Sequence, residues 1–314
     1  MLARVAESLY WMGRYIERCE HCARYLTVQY FSTLDAPMTQ NREFTFRSIM
    51  FMAGAEFDME ASLQSKEVWR RVILDANNPN SLSSITYQAR ENARSIRNNI
   101  STELWEAINK WYLYYKTMDP QRFTSSNISE FSEQTTSHIY IIKSTMNMTL
   151  LHDDVWGFLN LGIHIERGIQ VLRILRSKIS DNQILSDNGA NIPLMRYQWT
   201  TLLKCMEAFD VYNQSMKGAE LNKSTIFKFL LTNELFPRSL GFTLKELLST
   251  ITNFSVRPFA YPEVLANFNA GKRECLAFNE FEDVDQVLSH IERSNEILSE
   301  FHDEIFKLYF QLNK

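Results

Sequence analysis

Leu2-Ala3-Arg4-Val5-Ala6-Glu7-Ser8-Leu9-Tyr10-Trp11-Met12-Gly13-Arg14-Tyr15-Ile16-Glu17-Arg18-Cys19 is the stretch that decides the fold. In it and just beyond, Leu2, Val5, Leu9, Met12, Ile16, Cys19, Ala23, Leu26 and Tyr30 recur at alternating steps of three and four residues. That spacing draws one apolar seam along a helix, which ends near Asp35 and Pro37. At 100° per residue, Glu7, Arg14, Arg18, His21 and Tyr25 gather within about 40° of one another on another side, flanked by Tyr10 and Trp11. A solvated face favours Lys and Glu and rarely carries Trp and Tyr. The alternatives are therefore a surface stripe or a second buried interface in which Arg and Glu pair under aromatic cover.

The composition agrees with helix. Nine Gly and seven Pro in 314 residues are about 5% of the chain, against a usual share of about 12%. So few punctuators leave little room for the turns of a sandwich, a barrel or a glycine-cradled nucleotide site. Breaks are expected at Asn77-Asn78-Pro79, Asp119-Pro120, Ser180 to Pro193, Lys217-Gly218, Phe236-Pro237 and Pro258 to Pro262. Between them the pattern predicts helices at about 42–54, 66–75, 81–117, 127–150, 154–179, 194–216, 222–232, 238–253 and 282–312. Ser81 and Pro237 suit helix starts, as cap and as first-turn residue. The fold class is all-α: one large bundle of nine to eleven helices, a single domain over residues 1–314.

Charge narrows the function. With 33 Lys and Arg against 37 Asp and Glu, the net charge is −4. A nucleic-acid binder would advertise a basic excess, so none is expected as partner. Glu7, Arg14, Glu17 and Arg18 interrupt the first apolar run, which rules it out as a signal peptide or membrane span. Four cysteines in 314 residues are too few for a disulfide framework. The expected compartment is the cytoplasm.

Two patterns invite a functional reading. Gly13-Arg14-Tyr15-Ile16-Glu17-Arg18 returns as Gly162-Ile163-His164-Ile165-Glu166-Arg167, with Arg24 and Leu26 matched by Arg173 and Leu175. A fainter copy, His290-Ile291-Glu292-Arg293, lacks the glycine. The echo is either an internal repeat or the resemblance that amphipathic helices share. If it is a repeat, the two helices should pack side by side, with Gly13 and Gly162 at the close approach. Glu17 and Glu166 should then find interior partners among Arg14, Arg18, Arg167 or the second pattern. That second pattern is Arg90, Arg94 and Arg97, which step by four and three and share one helix face. Ser101, Glu103, Trp105, Glu106 and Asn109 follow. Forked guanidinium donors suit carboxylates and phosphates, so this is either an anion clamp or a solvated stripe answering nearby glutamates.

These same residues resemble a family. Met1 to Arg18, Ala89 to Arg97 with Ser101, Glu103, Trp105, Glu106 and Asn109, Trp156 to Gly162 with Glu166-Arg167, and Phe236-Pro237-Arg238-Ser239 together resemble bacterial alpha-E proteins. The chain departs from that family at Ile163, where a second arginine is usual, and at Cys19 and Cys22. The resemblance implies an all-helical protein that partners a circularly permuted ATP-grasp ligase, often with a transglutaminase-like protein, in making or modifying peptides.

Other chemistry is poorly supported. Cys19-Glu20-His21-Cys22 has half-site spacing for zinc, but Cys205 and Cys275 are single, and a structural site needs a second close pair. No His has Glu three residues before it, which removes the di-iron bundle code. His152-Asp153-Asp154 suits a cap at the positive end of the next helix better than a metal site. No phosphate loop, dinucleotide fingerprint or nucleophile elbow is present, so no metal or cofactor is expected. Three roles remain. The chain is an accessory subunit that positions a peptide or anionic substrate, with Arg14, Arg18, Arg90, Arg94, Arg97, Asn109 and Arg167 as binding residues. It is an enzyme with Glu17, Glu103, Glu106 or Glu166 as acid or base. Or it is a helical scaffold without a substrate.

Overall fold

The computed structural model describes residues 2–35, 42–54, 65–187, 189, 192–217, 221–277 and 284–311. These residues form thirteen α-helices and no strand. In chain order they are α1 (Ala3–Asp35), α2 (Arg42–Met52), α3 (Ser65–Ile73), α4 (Leu82–Ser95), α5 (Thr102–Lys116), α6 (Ile128–Thr149) and α7 (Asp154–Asp187). Then follow α8 (Ile192–Cys205), α9 (Phe209–Ser215), α10 (Lys223–Thr232), α11 (Leu240–Thr252), α12 (Tyr261–Leu276) and α13 (Val284–Ile305).

The all-α expectation holds, with four local differences in helix extent; in addition, Pro237 lies in the turn before the Ser239 cap of α11 and not in its first turn. The stretch 81–117 divides into α4 and α5 because the Ser101 hydroxyl accepts the Leu104 N–H at 3.1 Å and starts a new helix. The stretch 194–216 divides at Glu207, whose φ of 50° is left-handed and ends α8. The long helix α7 runs through the expected break at Ser180 as far as Asp187, because Lys178, Asp181 and Asn182 are buried and pair within it. Helix α12 was not expected at all. Its seam, Tyr261, Val264, Phe268 and Cys275, is buried, and Pro262 sits in the first turn, where a missing N–H costs nothing. The expected break at Gly218 lies outside the described residues.

The helices fall into two equivalent halves. Helix α1 packs on α4 and α6, with α5 bridging those two; α7 packs on α11 and α13, with α12 bridging them. The exchange is reciprocal in the middle, where α2 leans on α1 and α7 and α8 leans on α7 and α1. Helices α1 and α7 run parallel, since Tyr10 faces Gly162, Arg14 faces Glu166 and Tyr25 faces Ser177. A pseudo-twofold axis therefore passes between them. A second sequence mark confirms it: Pro79-Asn80-Ser81-Leu82 precedes α4 and Pro237-Arg238-Ser239-Leu240 precedes α11. Both serines cap their helices, accepting from Ser84 N at 3.1 Å and from Phe242 N at 3.0 Å. The faint third copy takes no part in this symmetry. Arg293 lies exposed on α13 and pairs with Glu274, Glu296 and Glu300.

The seam of α1 is buried from Val5 to Leu26, and so is most of the opposite face: Tyr10, Arg14, Glu17, His21 and Tyr25. That face is the second buried interface, not a stripe. Leu2, at the frayed end of the seam, is 71% exposed.

Candidate functional site

The site grows from the crossing of α1 and α7. A Cβ on Gly13 would lie 2.2 Å from Leu159 O and 3.1 Å from Ile163 N. A Cβ on Gly162 would lie 2.0 Å from Tyr10 O and 3.0 Å from Arg14 N. The two contacts are the same contact exchanged across the axis. Backbones this close bring the Glu-Arg pair one turn later into reach of its counterpart on the other helix. Glu17 takes Arg167, with Nε to Oε1 at 2.6 Å, while Glu166 takes Arg18, with Nε to Oε1 at 2.7 Å and Nη2 to Oε2 at 2.9 Å.

Each carboxylate then recruits a second cation, by different routes. Arg14 donates from Nε to Glu166 Oε2 at 2.9 Å; its guanidinium lies 4.9 Å from the Trp11 ring centre, a favourable cation–π arrangement. Gln170 adds a bond to Glu166 Oε1 at 2.8 Å. The position equivalent to Arg14 in the second half is Ile163, so Glu17 has no such helper. Lys143 of α6 replaces it, bonding both Glu17 and Glu20. Both motif glutamates are fully buried. Burial alone would raise the Glu166 carboxyl, but Arg18 and Arg14 outweigh it and hold the group well below the usual range. The same contest at Glu17 is won by Arg167 and Lys143.

On one side the network reaches towards solvent. Glu20 binds Arg24, Lys143 and Arg238, the last at 2.8 Å. Arg238 also meets Glu207 at 2.5 Å, and Arg24 Nε lies 2.9 Å from Glu207 without hydrogen-bond geometry. Four carboxylates, Glu17, Glu20, Glu166 and Glu207, thus face six cations, Arg14, Arg18, Arg24, Lys143, Arg167 and Arg238. They form two clusters on either side of the crossing, Glu166 with Arg14 and Arg18, and Glu17, Glu20 and Glu207 with Arg24, Lys143, Arg167 and Arg238, each with one positive charge in excess.

Two buried histidines adjoin it and stay neutral. Desolvation takes His21 down to about 4, although Glu17 accepts from its Nε2 at 3.2 Å. Desolvation, reinforced by Arg167, takes His164 to about 3. Neither Nδ1 atom has a hydrogen-bond partner among the described residues. An unfolded histidine takes up a proton below about pH 6.5, whereas these do so only near 4 and 3. Stability is therefore full above about pH 6.5 and falls as the pH drops from there towards 4. Below about pH 4.5 the glutamates add to the loss, since their contribution disappears as the pH falls through their depressed folded values. Urea midpoints at pH 7.0, 5.5 and 4.5 should fall in that order. The fall between 7.0 and 5.5 should shrink in a His21→Gln, His164→Gln double variant; a flat wild-type profile over that interval contradicts the assignment.

The other sequence candidates lie elsewhere. Glu103 and Glu106 are exposed on α5. Arg90 is occupied, donating to Asn109 Oδ1 at 3.0 Å and Glu91 at 2.7 Å, with its guanidinium 4.7 Å from the Tyr112 ring. Arg94 is 65% exposed in its side chain and pairs with Glu91, and Arg97 reaches Thr102 Oγ1 at 3.1 Å. Arg97 lies beyond the end of α4 at Ser95, so the expected single helix face is interrupted; the arginines answer Glu91 and, on α5, Asn109 and Thr102, and the partners of Glu17 and Glu166 come from α1, α6 and α7. Cys19 and Cys22 are buried, and desolvation pushes their thiols up to about 12 and 11. No cluster of three metal-ligating side chains occurs among the described residues. Asp153 accepts the Val155 N–H at 2.9 Å, as a cap does. Among the described residues no helix is long and apolar enough to cross a membrane. Sequence reasoning missed Glu20, Arg24, Lys143 and Glu207. Arg238 lies in the recognised Phe236 to Ser239 block, which was its one signal.

No solved structure matches the chain. Uncharacterised proteins of Mycobacterium bovis and Mycobacterium tuberculosis are each 23% identical over 264 residues, covering 78% of this chain and 29% of theirs. The chain thus spans under a third of the length of these relatives. A family described as "a predicted alpha-helical domain with a conserved ER motif" matches residues 1–310. The Glu-Arg pairs 17–18 and 166–167 stand at the helix crossing, and the chain belongs to that family, Alpha-E.

Proposed function

We propose that the chain is a helical accessory subunit of an ATP-grasp-dependent system that makes or modifies peptides, and that it positions a peptide or anionic substrate instead of turning it over. One observation carries the non-catalytic half of this reading. Glu17 and Glu166 are each sealed from solvent and held ionised by two cations. A carboxylate so stabilised is too weak a base, and too strong an acid, for proton transfer near neutral pH, where a group titrating close to the working pH is most effective. The ER motif is then a clasp that fixes α1 on α7. The partnership with an ATP-grasp ligase, and with a transglutaminase-like protein, rests on the resemblance. In the relatives the matched stretch is 29% of a longer chain, joined covalently to other segments, which agrees with a role as one part of a larger assembly.

The test is reconstitution. The chain should co-purify with an ATP-grasp ligase, and peptide-dependent ATP hydrolysis by that ligase should rise at least tenfold on its addition. A ligase that neither binds the chain nor responds to it ends the accessory reading. Turnover of peptide by the chain alone, abolished in a folded Glu17→Gln variant, would establish the enzyme instead.

A further inference from the structure

Away from the ion network, a cleft of about 620 Å³ opens between α1, α4, α5 and the turn at 76–79. That volume falls in the range of small-ligand sites. Its walls are Tyr15, Tyr87, Tyr112 and Tyr115. The rings are held from outside the cleft: Tyr15 stacks on Trp11 at 5.8 Å, Tyr112 is backed by Arg90, and the Tyr115 hydroxyl bonds Thr135 at 3.2 Å. The hydroxyls of Tyr15, Tyr87 and Tyr112 have no hydrogen-bond partner among the described residues. Neither do the side chains of Ser83 and Gln88, which also line the cleft.

This is the composition by which binding surfaces take up peptides. Tyrosine supplies broad, rigid, amphipathic contact at low entropic cost, and Ser, Asn and Gln supply adaptable hydrogen bonds to backbone groups. The charge is one-sided. Lys116 is the single charged residue of the lining, forms no ion pair among the described residues, and holds its ammonium 5.7 Å from the Tyr112 ring centre. Arg90 lies behind Tyr112 at 4.7 Å, with its charge met by Glu91 at 2.7 Å. Burial pushes the Tyr15 phenol up, Arg18 and Arg14 act on it in the opposite sense and Glu166 opposes them, so the cluster of two arginines on one carboxylate stands behind that wall. Among the described residues no carboxylate lines the cleft.

We infer that this tyrosine cleft binds an acidic peptide segment, with Lys116 facing a carboxylate and the free hydroxyls and amide bonding the peptide backbone. The inference deepens the positioning role by naming the substrate class, and rests on that role only for its purpose. Binding is measured on the chain alone and the role on the ligase, so each can fail while the other stands.

The experiment is fluorescence anisotropy of labelled hexaglutamate, hexalysine and a neutral Gly-Ser hexapeptide against the full chain in 50 mM salt. Hexaglutamate should bind at least tenfold more tightly than the neutral peptide, although the chain's own net charge of −4 opposes it, and hexalysine should bind least. Lys116→Glu should weaken hexaglutamate at least tenfold. Tyr87→Ala, which leaves every charge in place, should weaken it at least fivefold and so separates the cleft from diffuse attraction. Both residues are exposed, and unchanged melting curves will show that the variants fold. Equal affinity for the three peptides, or hexaglutamate binding that both variants leave intact, overturns the inference. So does displacement of hexaglutamate by ATP at lower concentration than by unlabelled peptide, which would make the cleft a nucleotide site.

Discussion

Replacing Glu166 with Gln should destabilise the protein by about 3–5 kcal/mol, the usual consequence of leaving buried charge without its partner. Glu166 is fully buried and is the only ion-pair partner recorded for Arg14 and Arg18 among the described residues, with contacts of 2.7–2.9 Å. The amide keeps one carbonyl acceptor but turns an N–H₂ towards a guanidinium, so one cation loses its counter-charge and gains a donor facing its own donors. Neither arginine can escape by rotation: Arg14 is pinned over Trp11, and Arg18 spans both carboxylate oxygens. Guanidinium chloride unfolding should show a lower midpoint at unchanged slope. Glu103→Gln, on the exposed face of α5, should change stability by no more than about 0.5 kcal/mol. A loss below about 1 kcal/mol at Glu166 would mean that the pair behaves as a solvated surface bridge and that the clasp reading of the ER motif is wrong. Pairing Glu166→Gln with Arg18→Met separates the terms, since removing both charges should recover part of the loss if the penalty is an uncompensated cation.

How much of this was legible in the sequence depends on the range of the interactions. The α1 seam is local, and its alternation of three and four steps survives into the structure almost residue for residue. Helix ends were legible where a short-range device sets them, as at Ser81 and Asp153. They were missed where the device was hidden in a helix-compatible run, as at Ser101, or where tertiary burial carried a polar run onward, as at Asp181 and Asn182. The Glu17–Arg167 and Glu166–Arg18 pairs could be anticipated because the two motif copies advertise each other. Lys143 could not. It stands in a stretch with no motif, 126 residues from Glu17, and its role follows from Ile163 occupying the position that Arg14 fills in the other half. The arginine stripe shows the opposite difficulty. Spacing placed Arg90, Arg94 and Arg97 on one face, but whether a face meets solvent or a ligand is decided by what packs around it, which spacing does not contain.

Gly13→Ala and Gly162→Ala test the crossing on which the site depends, and each should cost about 3 kcal/mol or more. In isolation, alanine is the better helix former by about 1 kcal/mol, so a neutral environment predicts stabilisation. Here the new methyl would stand 2.2 Å from Leu159 O or 2.0 Å from Tyr10 O, and both atoms are backbone. A side chain at that distance could rotate away; a carbonyl inside a helix moves only if the helix moves. The overpacking penalty, typically about 1–3 kcal/mol, is therefore compounded. Parting α1 from α7 lengthens the Arg14, Arg18 and Arg167 bonds, which now sit at 2.6–2.9 Å, and admits water to charges the fold keeps dry. Gly168→Ala is the control on the same helix. Its methyl would meet Leu298 Cδ1 at 2.8 Å, the far end of a flexible side chain, so relaxation and the gain in helix propensity should leave it within about 1 kcal/mol of wild type. Two outcomes are decisive. If Gly13→Ala and Gly162→Ala lose stability by similar amounts while Gly168→Ala does not, the two copies are equivalent halves of one contact, as the pseudo-twofold requires. If either alanine variant unfolds at or above the wild-type midpoint, the backbones do not approach as described and the ion pairs cannot be dry, because the same approach that excludes a methyl group is what excludes water from Glu17 and Glu166.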